Sequence, residues 1–183
     1  MVQNPPPVPG KAKMKRSFGR KLLRVSLFFI GFLVLLLLAF GTLIELGFFP
    51  DTITYQRPDI PERALAAVEE FFDLEEGEEV EYLYSMGFFS FRDDGQFVTD
   101  RRLGSWAQNN GELWYQDCMF EDVVALEVEL HEGLLDDSYF MVETPDYEDL
   151  ILAFPPEQGG DRKVLGWLRR YLPAEIISVE EVK

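Results

Sequence analysis

The chain has 183 residues, with seventeen Lys/Arg against thirty-three Asp/Glu, a net charge of −16, one Cys and one His. That balance excludes nucleic-acid binding, which needs a cationic footprint for phosphates, and a single Cys excludes an intrachain disulfide. One His cannot build a His-rich zinc site, and the sequence carries no phosphate loop, nucleophile elbow or dinucleotide fingerprint.

Residues 1–24 hold Pro5, Pro6, Pro7 and Pro9, then the cations Lys11, Lys13, Lys15, Arg16, Arg20, Lys21 and Arg24. They predict a disordered basic tail. The apolar run Val25 to Ile44 follows, with no charge until Glu45. Twenty helical residues at about 1.5 Å each span about 30 Å, the thickness of a bilayer's hydrocarbon core. Residues 25–46 are therefore expected to cross the lipid bilayer as one transmembrane helix. A secretory leader has a shorter apolar stretch, about 7 to 15 residues, followed by a small-residue cleavage site. Here the small-residue triplet Ala39-Phe40-Gly41 lies inside the run, which favours a retained anchor. Seven Lys/Arg precede the span, and only Arg57 and Arg63 occur between Pro50 and Ala64. This asymmetry predicts a cytoplasmic N-terminus and an extracytoplasmic C-terminal domain.

Residues 47–60 are expected to be a linker and residues 61–183 one soluble acidic domain, enough chain for a single core. Residues 50–183 carry ten Lys/Arg and thirty-two Asp/Glu, a net −22, against +6 for residues 1–49. Asp59 is placed to cap a short helix in which Leu65, Val68 and Phe72 recur at helical spacing. From Val80 the period becomes two, with Val80, Tyr82 and Tyr84 alternating with Glu81, Leu83 and Ser85, and Phe89 and Phe91 continuing. Asp94-Gly95 predicts a turn, and Phe97 and then Leu103 to Asn109 a strand. Asn110-Gly111 predicts a hairpin, because a type I′ turn needs positive φ at both central residues. Leu113 to Phe120 returns. Leu126, Val128 and Leu130 alternate with Glu127, Glu129 and His131, and Tyr139 to Val142 and Leu150 to Phe154 follow, joined across Pro145-Asp146. Asp161 is expected to cap a last helix with Val164, Leu165, Leu168, Tyr171 and Leu172 on one face, stopped by Pro173. Ile176, Ile177 and Val179 predict a tail with one short strand. The fold class is α+β.

The order of these elements, with the segment Phe97-Val98-Thr99-Asp100-Arg101-Arg102-Leu103, resembles bacterial pleckstrin-homology-like (PH-like) domains. The resemblance covers about residues 75–172, from the acidic lead Glu78-Glu79-Val80 through the turn at Glu121 to Val128 and the helix Arg162 to Leu172. It implies an antiparallel, seven-stranded, partly open β-barrel or roll with a C-terminal capping helix, and no catalytic site. Phosphoinositide binding is not expected. The loop from Gly87 to Gly95 offers Arg92 alone beside Asp93 and Asp94, where a phosphate would need several cations.

Arg101 and Arg102 read as adjacent strand residues facing opposite sides. One is expected to turn towards a carboxylate, Asp100 or Glu121 for instance, and hold the hairpin in register. Trp106, Trp114 and Trp167 predict core or rim packing. Arg101, Arg102, Trp106 and Trp167 are the candidate structural or contact residues. Cys118 reads as a buried small hydrophobe whose acidic neighbours raise its thiol pKa, and His131 as a residue on the solvent face of a strand. The acid groups Asp93/Asp94, Asp136/Asp137 and Asp146/Glu148/Asp149 are expected by chance among so many carboxylates, with weak calcium binding at the last two as the minority reading. The sequence thus predicts a non-enzymatic, single-pass, membrane-anchored binding or scaffold protein that docks another protein through a strand edge or the last helix. No catalytic, cofactor or metal residue is assigned. The alternatives are a cell-envelope hydrolase, which needs paired carboxylates or His131 with Ser138 to converge, and an accessory subunit acting through its span.

Overall fold

The computed structural model describes residues 15–46, 51–87, 90–109, 111–133, 136–145 and 149–182. The proline-rich tip, Phe89, Asn110 and the segment Asp146 to Glu148 lie outside the described residues, and so do the expectations placed on them. The chain divides into two units, residues 1–42 and 43–183.

The first unit is dominated by one helix, α1 (Lys15–Glu45). Its segment Leu22–Leu43 is long and apolar enough to cross a membrane and has no buried residues. Twenty-two residues make about 33 Å of helix. The hydroxyl of Thr42 donates to the Leu38 carbonyl at 2.9 Å, so this polar group is satisfied within the helix. The helix starts ten residues before the expected span. Lys and Arg are good helix formers, so the cationic stretch continues the apolar helix backwards instead of remaining coil.

The second unit is built from β1 (Tyr55–Gln56), α2 (Glu62–Phe71), β2 (Val80–Tyr84), β3 (Asp94–Thr99), β4 (Arg102–Asn109), β5 (Glu112–Met119), β6 (Ala125–His131), β7 (Ser138–Glu143), β8 (Leu150–Phe154), α3 (Gly160–Leu168) and β9 (Ile177–Val182). The strands form two sheets, in the orders β1-β2-β3-β4-β5 and β8-β7-β6-β9. All neighbours are antiparallel except β9, which runs parallel to β6. Strands β2 to β8 and α3 are the seven antiparallel strands and closing helix of the α+β arrangement that the resemblance implied. β1 and β9 lengthen the two sheets beyond the seven strands expected.

Two cores lie on the two faces of the first sheet. On one face Tyr82, Tyr84, Val98, Leu103 and Cys118 pack with Leu126, Val128, Phe140, Val142, Leu152 and Phe154 of the second sheet and Val164, Leu165 and Leu168 of α3. On the other, Leu83, Phe97 and Trp106 pack under Ala64, Ala67 and Val68 of α2, with Tyr55, Ile60 and Phe72. This double cover explains why β2 is buried on both sides and does not alternate apolar with exposed polar residues. β6 has one covered face and keeps the alternation, with Leu126, Val128 and Leu130 in and Glu127 out.

Four sequence expectations change. Residues 51–60 are not a free linker: Tyr55 and Ile60 are buried, and β1 pairs with β2. The residue before α2 is Pro61, with no side-chain cap, so Asp59 does not cap it. The residue before α3 is the left-handed Gly159, and Asp161 lies inside the helix, buried. Asp94 and Gly95 are strand residues of β3, because Gly95 serves a close approach and not a turn. A Cβ on Gly95 would lie 2.2 Å from the Trp106 ring, and one on Gly104 would lie 2.3 Å from Phe97. Gly95 faces Trp106 and Phe97 faces Gly104 across β3 and β4, so each glycine makes room for the aromatic ring opposite. Gly111, by contrast, is a turn glycine with φ +85°, and the Asn109–Glu112 register confirms a two-residue hairpin connection.

Gly95→Ala should therefore destabilise the domain by about 2 kcal/mol or more through overpacking. Gly166→Ala, at an exposed helix position with open space around it, should be neutral or stabilising by about 0.5–1 kcal/mol. Urea unfolding followed by tryptophan fluorescence measures both.

Candidate functional site

The segment that carries the family resemblance is a turn and not a continuous strand. β3 ends at Thr99, β4 starts at Arg102, and Asp100-Arg101 connects them. The buried Thr99 hydroxyl accepts the main-chain N–H groups of Arg101 (2.9 Å) and Arg102 (2.8 Å) and donates to Glu78 Oε1 (2.8 Å). Asp100 Oδ1 accepts the Glu79 N–H at 3.2 Å, and the Arg101 carbonyl accepts the Phe120 N–H at 2.8 Å. The Thr99 carbonyl accepts Trp167 Nε1 at 3.0 Å. One four-residue turn thus holds the approach to β2, the end of β5 and helix α3.

Arg102 turns inward from this turn. Its Nε and Nη2 donate to the two oxygens of Glu78 at 2.9 and 2.8 Å, a bidentate fork, and Nη1 donates to Asp117 Oδ2 at 2.8 Å. The Glu78 side chain is fully buried and that of Arg102 is 10% exposed. Burial pushes the Glu78 carboxyl up, but hydrogen bonds from Arg102, the main chain and Thr99 outweigh it and hold the pKa below the usual carboxylate value. Arg102 is likewise disfavoured by burial but held charged by Glu78 and Asp117. The partners are therefore Glu78 and Asp117, neither of which the sequence reading named. Glu78 lies before β2, and Asp117 lies on the strand beside β4, so only the folded sheet brings them together. Arg101 stays at the surface, paired with Glu75 and 3.9 Å from Asp100. Neither arginine is paired with Glu121.

Trp106 is 1% exposed, and its Nε1 donates to the Phe91 carbonyl at 3.0 Å. Trp167 is half-buried on α3, with its ring 6.1 Å from Tyr82 and 5.5 Å from Tyr171 and with the Arg170 guanidinium 4.8 Å above it. Its contacts fasten α3 to the turn at Thr99.

The groups considered for chemistry lie apart. Ser138 is fully buried, and its hydroxyl accepts the main-chain N–H of His131 (2.9 Å) and donates to the buried Asp161 (2.8 Å). The His131 ring lies edge-on to Tyr139, 6.0 Å away. Cys118 is buried, and burial followed by the charges of Asp122 and Asp117 pushes its thiol up to about 11. Burial raises Asp94 and Asp137, and the Tyr84 hydroxyl donates to Asp137 at 3.3 Å. Among the described residues no group of three His, Cys, Asp or Glu is placed to hold a metal ion.

Among the described residues β5 exposes three consecutive large apolar side chains. Leu113, Trp114 and Tyr115 are 40%, 54% and 56% exposed on the last strand of the first sheet. Tyr115 packs edge-on to Phe72 at 5.7 Å, while Trp114 lies on the opposite face of the strand. The sequence placed Leu113 to Phe120 on a returning strand and Trp114 in core or rim packing, without marking this run as exposed. The signal available was three consecutive large apolar residues next to a hairpin turn.

No protein-family profile matches the chain, and no curated protein matches it. Among solved structures it is similar to a protein of the DUF1696 family with a pleckstrin-homology domain from Shewanella loihica, with 14% identity, a TM-score of 0.46, and coverage of 66% of this chain and 98% of that one. It is also similar to a pleckstrin-homology domain from Shewanella amazonensis, with 19% identity, a TM-score of 0.44, and coverage of 62% and 90%.

Removing one partner of a buried ion pair leaves the other charge unpaired, so Arg102→Met should cost about 3–5 kcal/mol and the Arg102→Met/Glu78→Gln pair less than the sum of the singles. Because the folded pKa of Glu78 is depressed, its contribution is present above the ordinary value of 4.5 and is lost as pH falls through the lower folded value. Acid titration of stability should show this loss below pH 4.5 in the parent, and Glu78→Gln should flatten it.

Proposed function

We propose that this chain is a single-pass, membrane-anchored binding module that holds an acidic PH-like domain outside the cytoplasmic membrane and docks a protein there, without catalysis of its own. The observation that carries the proposal is the pairing of an apolar segment without buried residues, Leu22–Leu43, with a folded unit in which the buried Arg102, Glu78, Ser138 and Asp161 are engaged in structural bonds. A helix with no polar face is stable in lipid and not in water. The seven cations before it, against two in the following stretch, support the outward orientation of the domain. The domain's −22 charge favours a cationic protein partner over anionic lipid or nucleic acid.

Retention and orientation are both measurable in intact cells. The mature protein should keep residues 1–24 by mass spectrometry and resist alkaline extraction from membranes. Protease added to cells with a permeabilised outer layer should digest residues 51–183 and spare the N-terminal stub. A mature chain starting after residue 44 would show a cleaved leader and overturn the anchor, and a protected C-terminal domain would overturn the orientation.

A further inference from the structure

We infer that the outer edge of β5 is a strand-addition site for an extended, cationic peptide segment of a partner protein, which joins the first sheet as a sixth strand. The inference rests on the docking-module reading above and names its surface and the partner's chemistry.

A sheet edge is an open row of hydrogen-bonding groups, and proteins normally guard it by keeping it short, covering it, bulging it or placing charges on it. Three of the four edges here are guarded. β1 is two residues long. The Ala153 N–H, on the edge strand β8, is taken by the Gln96 carboxamide of the first sheet. β9 carries the exposed acids Glu180 and Glu181 on its outer half. Among the described residues β5 is the exception, because its run Leu113 to Gln116 carries no charge. It is eight residues long, contains neither Pro nor Lys, and pairs with β4 in unbroken register from Asn109–Glu112 to Arg102–Met119.

The register also says which groups are open. In a two-residue hairpin the flanking pair, Asn109 and Glu112, exchanges hydrogen bonds, and alternate residues along the strand do the same. Trp114 therefore bonds towards β4, and the N–H and C=O of Leu113, Tyr115 and Asp117 point away from the sheet. An added strand would form its ladder with these three residues. The half-exposed Leu113, Trp114 and Tyr115 supply apolar contacts on both faces, as strand addition requires for specificity.

Charge selects the occupant. β5 contributes Glu112 and Asp117 and no cation, and Glu121 and Asp122 follow it at once. Of the neighbouring cations, Arg102 is already bound to Glu78 and Asp117, and Arg101 is paired with Glu75. A second copy of this domain would bring another −22 to the same edge and be repelled. A segment with Lys or Arg flanking one or two apolar residues complements both the ends and the middle of the strip.

The test uses the full chain in detergent micelles and three synthetic ten-residue peptides: alternating Lys-Val, its Glu-Val counterpart, and the Lys-Val peptide with a central Pro. The Lys-Val peptide should bind, protect the Leu113 and Tyr115 amides from hydrogen exchange, and change a tryptophan emission that Trp114→Phe removes. Binding should weaken at least tenfold for each of the other two peptides. Leu113→Pro deletes an outward N–H while sparing the β4 ladder, and should weaken binding at least tenfold with hydrogen exchange elsewhere unchanged. Glu112→Lys gives an independent check at an exposed site should the proline variant not fold, and should also weaken binding. Equal binding of the Pro-interrupted peptide, or protection at another strand, would overturn the proposal, as would a dimer that protects β5 without any peptide. A domain oriented as proposed that ignores the Lys-Val peptide sinks this inference alone. A cytoplasmic domain that binds it sinks the orientation alone.

Discussion

Arg102 enters the domain with a tenth of its side chain in water, next to a glutamate with none. Two charges in that position cost several kcal/mol each unless every hydrogen-bonding site is met. Here the guanidinium is met by three carboxylate oxygens, and Glu78 also takes the Thr99 hydroxyl. Satisfying that set requires the approach to β2, the β3–β4 turn and β5 to sit in one register. A slip of one residue in β4 would turn Arg102 to the opposite face and leave Glu78 buried without its partner. The same turn accepts Trp167, so the position of α3 in the core it shares with the second sheet depends on it as well.

The first sheet needs such a lock because both of its faces are covered. A sheet with one wet face finds its register from alternation, but β2 and β3 bury nearly every side chain. Specificity must then come from polar pairing and shape. The shape term is the crossed pair of Gly95 under Trp106 and Gly104 under Phe97. Each ring fills the space that a Cβ opposite would occupy, and Trp106 also satisfies its N–H at Phe91, so burial of the largest side chain leaves no polar group unmatched.

Charge organises the chain on a longer scale. The +6 and −22 segments meet at a helix whose segment Leu22–Leu43 carries no buried residue and is long and apolar enough to cross a membrane. Self-repulsion of a −22 segment opposes pairing between copies, which makes an open β5 edge tolerable. In a neutral domain the same eight residues would invite pairing between copies.

Elements whose information is local were legible in the sequence. The apolar run announced a membrane-length helix, the alternation of Leu126, Val128 and Leu130 announced β6, Asn110-Gly111 announced the hairpin, and the element order announced an α+β fold of antiparallel strands closed by a helix. Hydrophobic periodicity and turn chemistry act over a few residues, so the sequence determines them without knowing the fold. What needed the tertiary structure involved partners far apart in the chain. Glu78 and Asp117 meet Arg102 across twenty-four and fifteen residues, Gly95 answers to Trp106 and not to a turn, and Ser138 meets Asp161 in place of the imidazole of His131. Double cover erased the alternation in β3, whose first residues, Asp94 and Gly95, read as a turn. A buried ion pair and an exposed edge leave no periodic trace, because both are set by which strands the sheet places side by side.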